Sequence, residues 1–198
     1  MTTSLQTEEI RGVRILRITS QDGTNRLTRE FVLSLTEVIG ELPKKARGLA
    51  ITGSDKFFSA GADLEEIAGL DGPSAYEFAK MGQRLMQAVR DFPAPIYAAI
   101  SGYCMGGGLD LALACGRRIA SPHAIFGHRG AALGLITGWG GTRRLPRLVG
   151  KGRALEMFVA AEKVTAARAL QIGLVDAISE EPLKDCVDRI LAATRDRD

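Results

Sequence analysis

The sequence predicts an α/β domain with largely parallel sheets, because segments with strand and helix periodicity alternate along it. Residues 13–18 alternate apolar and basic side chains, as a half-buried strand does. Residues 28–39 place apolar side chains on one helical face, and residues 96–100 form a continuous apolar run typical of a buried strand. With 198 residues, 45% of them hydrophobic and 25% charged, the chain has the composition of one globular domain and not of a disordered, collagen-like or coiled-coil protein.

Local signals justify the elements in order along the chain. Asp22-Gly23 marks a turn after the first predicted strand, and Thr28 is a suitable N-cap for the helix that follows. Pro93 and Pro95 end the helix predicted over residues 74–90. The other predicted elements are strands over 48–52, 174–178 and a strand pair over 118–121 and 124–126, with helices over 107–114, 142–148, 153–160, 166–172 and 183–193.

Charge and cysteine usage exclude several classes of protein. The 26 basic and 23 acidic residues give a net charge of +3 and are scattered, so no nucleic-acid partner is predicted. No apolar run approaches the roughly 20 residues that a membrane span needs, and residues 1–9 hold no apolar signal core. The three cysteines form no CxxC pair, which is typical of free thiols in a reducing cytoplasm. No His, Cys or Asp cluster has metal-ligand spacing, so no metal is predicted.

A glycine-rich loop between a buried strand and an apolar helix is the sharpest local feature. Gly106, Gly107 and Gly108 precede Asp110 in the first turn of that helix. Free N–H groups at a helix start suit an anion, or an oxygen that becomes anionic during a reaction. Two interpretations stay open on this segment alone: an oxyanion site with Asp110 as its acid or base, or tight packing with a carboxylate that satisfies the helix dipole.

Two further small-residue segments are candidates for the same site. Residues 60–64 follow the strand predicted over 48–52, and Asp63 in that segment is interpreted as a helix N-cap, with Glu66 completing a capping box. Residues 133–146 form a glycine-laced turn into a helix. Trp139 in that turn is either a wall of an acyl pocket or a core residue.

Taken together, these segments resemble the enoyl-CoA hydratase/isomerase (crotonase) superfamily. The motifs that carry the likeness cover nearly the whole chain and comprise residues 25–27, 58–64, 93–96, 102–110, 124–127, 133–145 and 166–176. The resemblance implies a spiral of ββα units. It also implies a coenzyme A thioester bound at Ala60, Gly61, Ala62, Asp63 and Leu64, with coenzyme A as part of the substrate and no permanently bound cofactor.

The resemblance further implies that the N–H groups of Ala62 and Gly107 hold the thioester oxygen as it becomes an enolate, and that the protein forms a trimer or a pair of trimers. Family hydratases carry a glutamate where this chain has Asp110 and a second one where an ungapped alignment places Gly130. Gly130 cannot transfer a proton, so efficient hydration is not expected. His128 is either an additional proton carrier beside Asp110 or a surface or hydrogen-bonded histidine, and Arg129 suits a substrate carboxylate.

The expected function is therefore that of an enoyl-CoA hydratase/isomerase family enzyme of fatty-acid metabolism, a lyase or isomerase that acts through an oxyanion hole. An acyl-CoA decarboxylase and a catalytically silent acyl-CoA-binding homologue are the alternatives. Residues 1–181 are predicted to form the spiral core. Residues 182–198 are predicted to form a shortened C-terminal helical region with a charged tail, which leaves the trimer in question.

Overall fold

The computed structural model describes residues 2–42 and 46–194 and has the α/β architecture that the sequence predicts. The charged tail expected at residues 195–198 lies outside the described residues. The strands are β1 (Thr3–Ile10), β2 (Val13–Ser20), β3 (Arg26–Leu27), β4 (Gly48–Thr52), β5 (Phe57–Ser59), β6 (Gly61–Ala62), β7 (Ile96–Ile100), β8 (Tyr103–Met105), β9 (Arg117–Ala120), β10 (Ile125–Gly127), β11 (Val164–Thr165) and β12 (Ala177–Ile178). The helices are α1 (Arg29–Glu41), α2 (Leu64–Ala68), α3 (Gly72–Asp91), α4 (Gly107–Ala114), α5 (Gly141–Val149), α6 (Lys151–Val159), α7 (Ala166–Gln171) and α8 (Pro182–Thr194).

The strands form three sheets. A six-stranded sheet has the order β1-β2-β4-β7-β9-β12, in which only β1 and β2 pair antiparallel. A second sheet has the order β11-β10-β8-β5, and a two-stranded ladder joins β3 to β6. Strands β9 and β10 therefore belong to different sheets, which corrects the strand pair predicted there. The strand predicted over 174–178 is also shorter, because only its last two residues pair with β9.

The central strands of the six-stranded sheet are buried on both faces. Successive residues of its strands point to opposite sides, so Leu49 and Ile51 join the core that α1, α3 and α4 cover, whereas Ala50 faces α8. On that second face Val187 and Ile190 of α8 pack with residues of β2, β4, β7 and β9. This double burial explains why the central strands are apolar almost throughout.

Helix ends follow the local chemistry of the sequence. The Thr28 side chain accepts a hydrogen bond from the N–H of Phe31 and caps α1, as predicted. Helix α3 begins two residues earlier than its periodicity indicates, because Asp71 and Ser74 form a reciprocal capping box. Between β10 and α5 the chain makes only a short 3₁₀ turn, Gly130–Leu133, and residues 131–136 are exposed.

Candidate active site

A cavity of about 610 Å³ opens beside the start of α4 and brings the predicted segments together. Most of its wall is apolar and comes from α2, α3, β8 and the chain between β10 and α5. The predicted site residues on its wall are Ala60, Gly61, Ala62, Leu64, Gly107, Asp110, His128, Arg129, Gly130 and Trp139. A second cavity, of about 680 Å³, contains none of these residues.

The glycine loop delivers a free backbone donor to the cavity. Gly106 adopts φ 51° and ψ −119°, a backbone conformation that side chains rarely allow, and it reverses the chain immediately before α4. The N–H of Gly106 donates to the carbonyl of Gly127 at 2.9 Å, which ties the loop to β10. Gly107 is the first residue of α4, so its N–H has no partner within the helix and carries the positive end of the helix dipole.

The amide of Ala62 borders the same point of the wall. A Cβ built on Gly107 would lie 3.3 Å from the Ala62 nitrogen, and one built on Gly61 would lie 3.0 Å from the Gly107 nitrogen. Gly61 has φ +97°, and its missing side chain permits this close approach. The two backbone nitrogens predicted to form an oxyanion hole therefore lie close together on the cavity wall.

Asp110 is the carboxylate of this site. It lies one turn after Gly107 on α4 and is fully buried. Burial raises the pKa of Asp110 to about 7. A hydrogen bond from the Thr137 hydroxyl, the charge of Arg144 and the N–H of Gly141 act in the opposite direction. A carboxyl group with a pKa near neutrality can both accept and return a proton.

His128 lies directly beside that carboxylate. Its side chain is 4% exposed, and its Nε2 is 3.4 Å from Asp110 Oδ1, so the interpretation as a surface histidine is wrong. The ring packs against Phe158 with centroids 5.1 Å apart. Burial lowers the pKa of His128 to about 4, which keeps the imidazole neutral at neutral pH.

Two residues of the candidate segment 133–146 contact Asp110, and the sequence does not predict either contact. Thr137 donates its hydroxyl hydrogen bond to Asp110 Oδ2, and Gly141 begins α5 against the other carboxylate oxygen. A Cβ on Gly141 would overlap Asp110 Oδ1 and would lie 3.0 Å from His128 Nε2. The Gly140-Gly141 pair is visible in the sequence, but only the fold shows that its second member faces a carboxylate.

Trp139 is both a core residue and a wall of the cavity, so the two interpretations of it combine. The ring is 3% exposed, and Nε1 donates to the carbonyl of Phe78 at 3.2 Å. The same ring fills the space beside Gly107, where a Cβ would lie 2.6 Å from Trp139 Cζ3. Trp139 thus supports the start of α4 from within the cavity.

Asp63 has a structural role and does not line the cavity. Its carboxylate caps α2 by accepting hydrogen bonds from the N–H groups of Glu65 and Glu66, and it pairs with Arg26. The expected capping box is wrong, because Glu66 accepts from the N–H of Arg29 at 2.8 Å instead. A contribution of Asp63 to thioester binding stays a prediction.

The position aligned with the second glutamate lies at the rim of the cavity. Gly130 starts the 3₁₀ turn, and a Cβ there would lie 2.7 Å from the carbonyl oxygen of Leu135. Arg129 is exposed on the same rim. Cys104 is buried in the core outside the cavity wall, and burial raises the pKa of its thiol well above the ordinary value, which keeps it unreactive.

Residues 2–42 and 46–194 contain neither a metal-binding cluster nor a membrane-spanning helix. Within those ranges no three His, Cys, Asp or Glu side chains are grouped so that they could hold a metal ion. No helix of the same residues is long and apolar enough to cross a membrane.

Comparison with known proteins identifies the family. The sequence model of the enoyl-CoA hydratase/isomerase family matches residues 8–195, so the chain belongs to that family and to the crotonase superfamily. Among solved structures, Pseudomonas aeruginosa DspI is similar with a TM-score of 0.89 and 38% identity, covering 98% of this chain and 75% of that one. The spiral fold implied by the sequence motifs is thereby confirmed.

Curated relatives are longer than this chain. A protein of Bacillus subtilis (strain 168) named "Probable enoyl-CoA hydratase" is 42% identical over 76% of this chain and 60% of its own length. The crotonyl-CoA hydratase of Syntrophomonas wolfei subsp. wolfei is 36% identical over 83% of this chain and 64% of its own length. The chain thus spans less than two thirds of the length of these relatives.

Proposed function

We propose that this protein binds an acyl-CoA thioester and moves a proton on its acyl chain while the N–H groups of Ala62 and Gly107 hold the thioester oxygen. The observation that carries the proposal is the shared cavity wall, on which two close backbone nitrogens meet the buried Asp110 carboxyl. Coenzyme A enters as part of the substrate. The names of the relatives support this class of substrate.

The proposed roles of the two N–H groups and of Asp110 follow from the movement of charge during proton transfer. Removing a proton from the acyl chain moves negative charge onto the thioester oxygen, where two N–H dipoles stabilise it without reorganisation. Asp110 accepts that proton as carboxylate and returns it to another carbon as carboxylic acid. One carboxyl with a pKa near 7 suffices for moving a double bond, whereas adding water is helped by a second carboxylate that Gly130 does not supply. Double-bond isomerisation is therefore the favoured reaction within the family.

Decarboxylation is the second candidate, because Arg129 lines the same cavity as Asp110. Its guanidinium suits the carboxylate of a malonyl-type thioester. In this reaction the carbon–carbon bond to the carboxylate breaks, carbon dioxide leaves, and the resulting enolate takes a proton from Asp110. The same two N–H groups would hold that enolate.

A turnover screen over enoyl-, dienoyl- and malonyl-type CoA thioesters tests the proposal. Asp110→Asn should lower the rate by about 10²- to 10⁴-fold and spare binding of butyryl-CoA. Asp91→Asn, at the exposed end of α3, is the matched control and should change neither. Equal turnover by the Asp110 variant would refute the assigned role, and binding without any turnover would favour the silent homologue.

Gly107→Pro removes the proposed N–H donor. Proline is compatible with the first position of a helix, but its ring atoms would press on Trp139. Gly107→Ala is the matched control, because its Cβ meets the same indole while the N–H remains. We expect the proline variant to be slower than the alanine variant by about 10²- to 10³-fold. Equal rates in the two variants would show that this N–H is not used.

The assembly proposed for the protein is a homotrimer or a pair of trimers in the cytoplasm. Large apolar side chains stay exposed on the cavity rim and on α6, among them Ile136 and Val159, each 67% exposed. Exposed apolar side chains are more stable when another subunit buries them than when they remain in water. Light scattering after size exclusion measures the mass directly, and a monomer at all concentrations would contradict this part of the proposal.

A further inference from the structure

Two buried polar atoms of the residues that line the cavity face each other without a hydrogen-bond partner. They are Asp110 Oδ1 and His128 Nε2, 3.4 Å apart, and within the residues described neither atom has a partner with full hydrogen-bond geometry, although the N–H of Gly141 also acts on the carboxyl. Buried polar atoms are normally paired, so two orphans in contact call for an explanation. A separation of 3.4 Å is longer than a formed N–H···O bond, and such contacts often tighten only when substrate binds.

The surroundings hold the two groups in this relation. Thr137 fixes the other carboxylate oxygen of Asp110, and Phe158 packs on the imidazole of His128. Gly141 contributes no side chain, and a Cβ there would crowd both facing atoms from one side. The space beside Asp110 and His128 is therefore free because residue 141 is a glycine.

Other charged and titratable groups near Asp110 do not reach it as His128 does. Arg144 on α5 acts on the carboxyl through its charge, while its guanidinium donates to the carbonyls of Trp139 and Met86. The Cys104 thiol on β8 is neutral, because burial raises its pKa well above the ordinary value. His128 is the ionisable side chain in contact with the carboxyl among residues 2–42 and 46–194.

We infer that His128 positions Asp110 by donating a hydrogen bond from Nε2 to Oδ1, so that the proton-transfer group of this site is an Asp110–His128 pair in place of two carboxylates. The inference rests on the proposed function and deepens it. A neutral imidazole keeps its own proton throughout. The acyl proton passes from carbon to Asp110 and back to carbon, while the electron pair moves onto the thioester oxygen and returns.

The kinetic test compares three substitutions. His128→Leu removes the donor, His128→Gln restores an N–H donor without a titrating ring, and His123→Leu changes the other histidine, which is exposed and outside this cavity. We expect His128→Leu to lower kcat about 10- to 100-fold with little change in KM, since a hydrogen bond to a charged group is lost. Loss of that donor should also move the acidic midpoint of the kcat–pH profile upward, and His128→Gln should reverse both effects.

A spectroscopic arm is independent of turnover. Nitrogen-15 NMR detects both histidine rings, and the His123→Leu variant assigns the signals. We expect a neutral His128 ring whose Nε2 chemical shift changes as Asp110 titrates. In the Asp110→Asn variant that change should be absent. An unresponsive Nε2 overturns the pair. If the wild-type protein turns over no thioester, the proposed function fails, and the NMR result alone decides the inference. Equal pH profiles and rates in a folded His128→Leu variant overturn it as well.

Discussion

Gly141→Ala tests how tightly the site is packed around its carboxyl group. The added methyl would overlap Asp110 Oδ1, and it would lie 2.8 Å from Thr137 Cγ2 and 3.0 Å from His128 Nε2. Gly141 has helical backbone geometry at the first residue of α5, so the substitution adds volume without backbone strain. Its effect therefore reports the space beside the carboxyl.

Overpacking of this kind costs about 1–3 kcal/mol. For a domain of this size each kcal/mol lowers the Tm by about 2–4 °C, so we expect a Tm lower by roughly 2–12 °C. Gly152→Ala is the matched control, because Gly152 is the second residue of α6 and a Cβ there meets nothing within 4 Å. That variant should be as stable as the wild type or more so, since alanine favours a helix over glycine.

Urea unfolding followed by circular dichroism measures both free energies of unfolding. We expect a clear loss of stability in the Gly141 variant only. If Gly141→Ala unfolds at the same urea concentration as the wild type, then the carboxyl, the hydroxyl and the imidazole have room to move apart. The packed arrangement on which the Asp110–His128 pair depends would then be refuted.

Two further predictions concern the carboxylates. The folded state holds the proton of Asp110 more strongly than the unfolded chain does, so the contribution of Asp110 to stability falls as pH rises from about 4 to 7. Asp110→Asn should therefore gain on the order of 4 kcal/mol relative to wild type between pH 4 and pH 8. His128 titrates in both proteins, so its contribution largely cancels in the difference between their free energies of unfolding. Urea unfolding at pH 4 and pH 8 measures that difference, and an equal value at both pH values would contradict the raised pKa of Asp110. Gly130→Glu should raise crotonyl-CoA hydration at a cost of about 1–3 kcal/mol, because its Cβ crowds the Leu135 carbonyl. The rate is measured by the loss of absorbance of the enoyl thioester. If the Gly130→Glu variant hydrates crotonyl-CoA no faster than the wild type, the absent glutamate is not what limits hydration.

Sequence periodicity predicted the long helices, because each buries one apolar face, and the central strands, because both of their faces are buried. Strand β1 was missed, since most of its side chains are polar and it forms only through the full-length pairing with β2. The hairpin turn there uses positive φ at Arg11 and Gly12, of which only the glycine is a visible signal. The two- and three-residue strands depend on distant partners and have no local period.

The candidate site was predictable to a similar degree. Gly107 and Asp110 share one helix turn, so their proximity follows from local geometry. The approach of Ala62 came from family resemblance and depends on the placement of β6 beside α4. Thr137 and Gly141 lie in the candidate segment 133–146, but their contacts with the carboxyl could not be predicted, because the turn before α5 has no regular period that would orient them.

Helix α8 has a consequence for the order in which the protein acquires structure. Its Ile190 rests against Gly48, where a Cβ would collide with the isoleucine, and it shields one side of the strands made from the first hundred residues. During synthesis that side stays in contact with water until residues 182–194 have left the ribosome. Contacts so remote in sequence slow folding, which makes the nascent intermediate a natural client for chaperones.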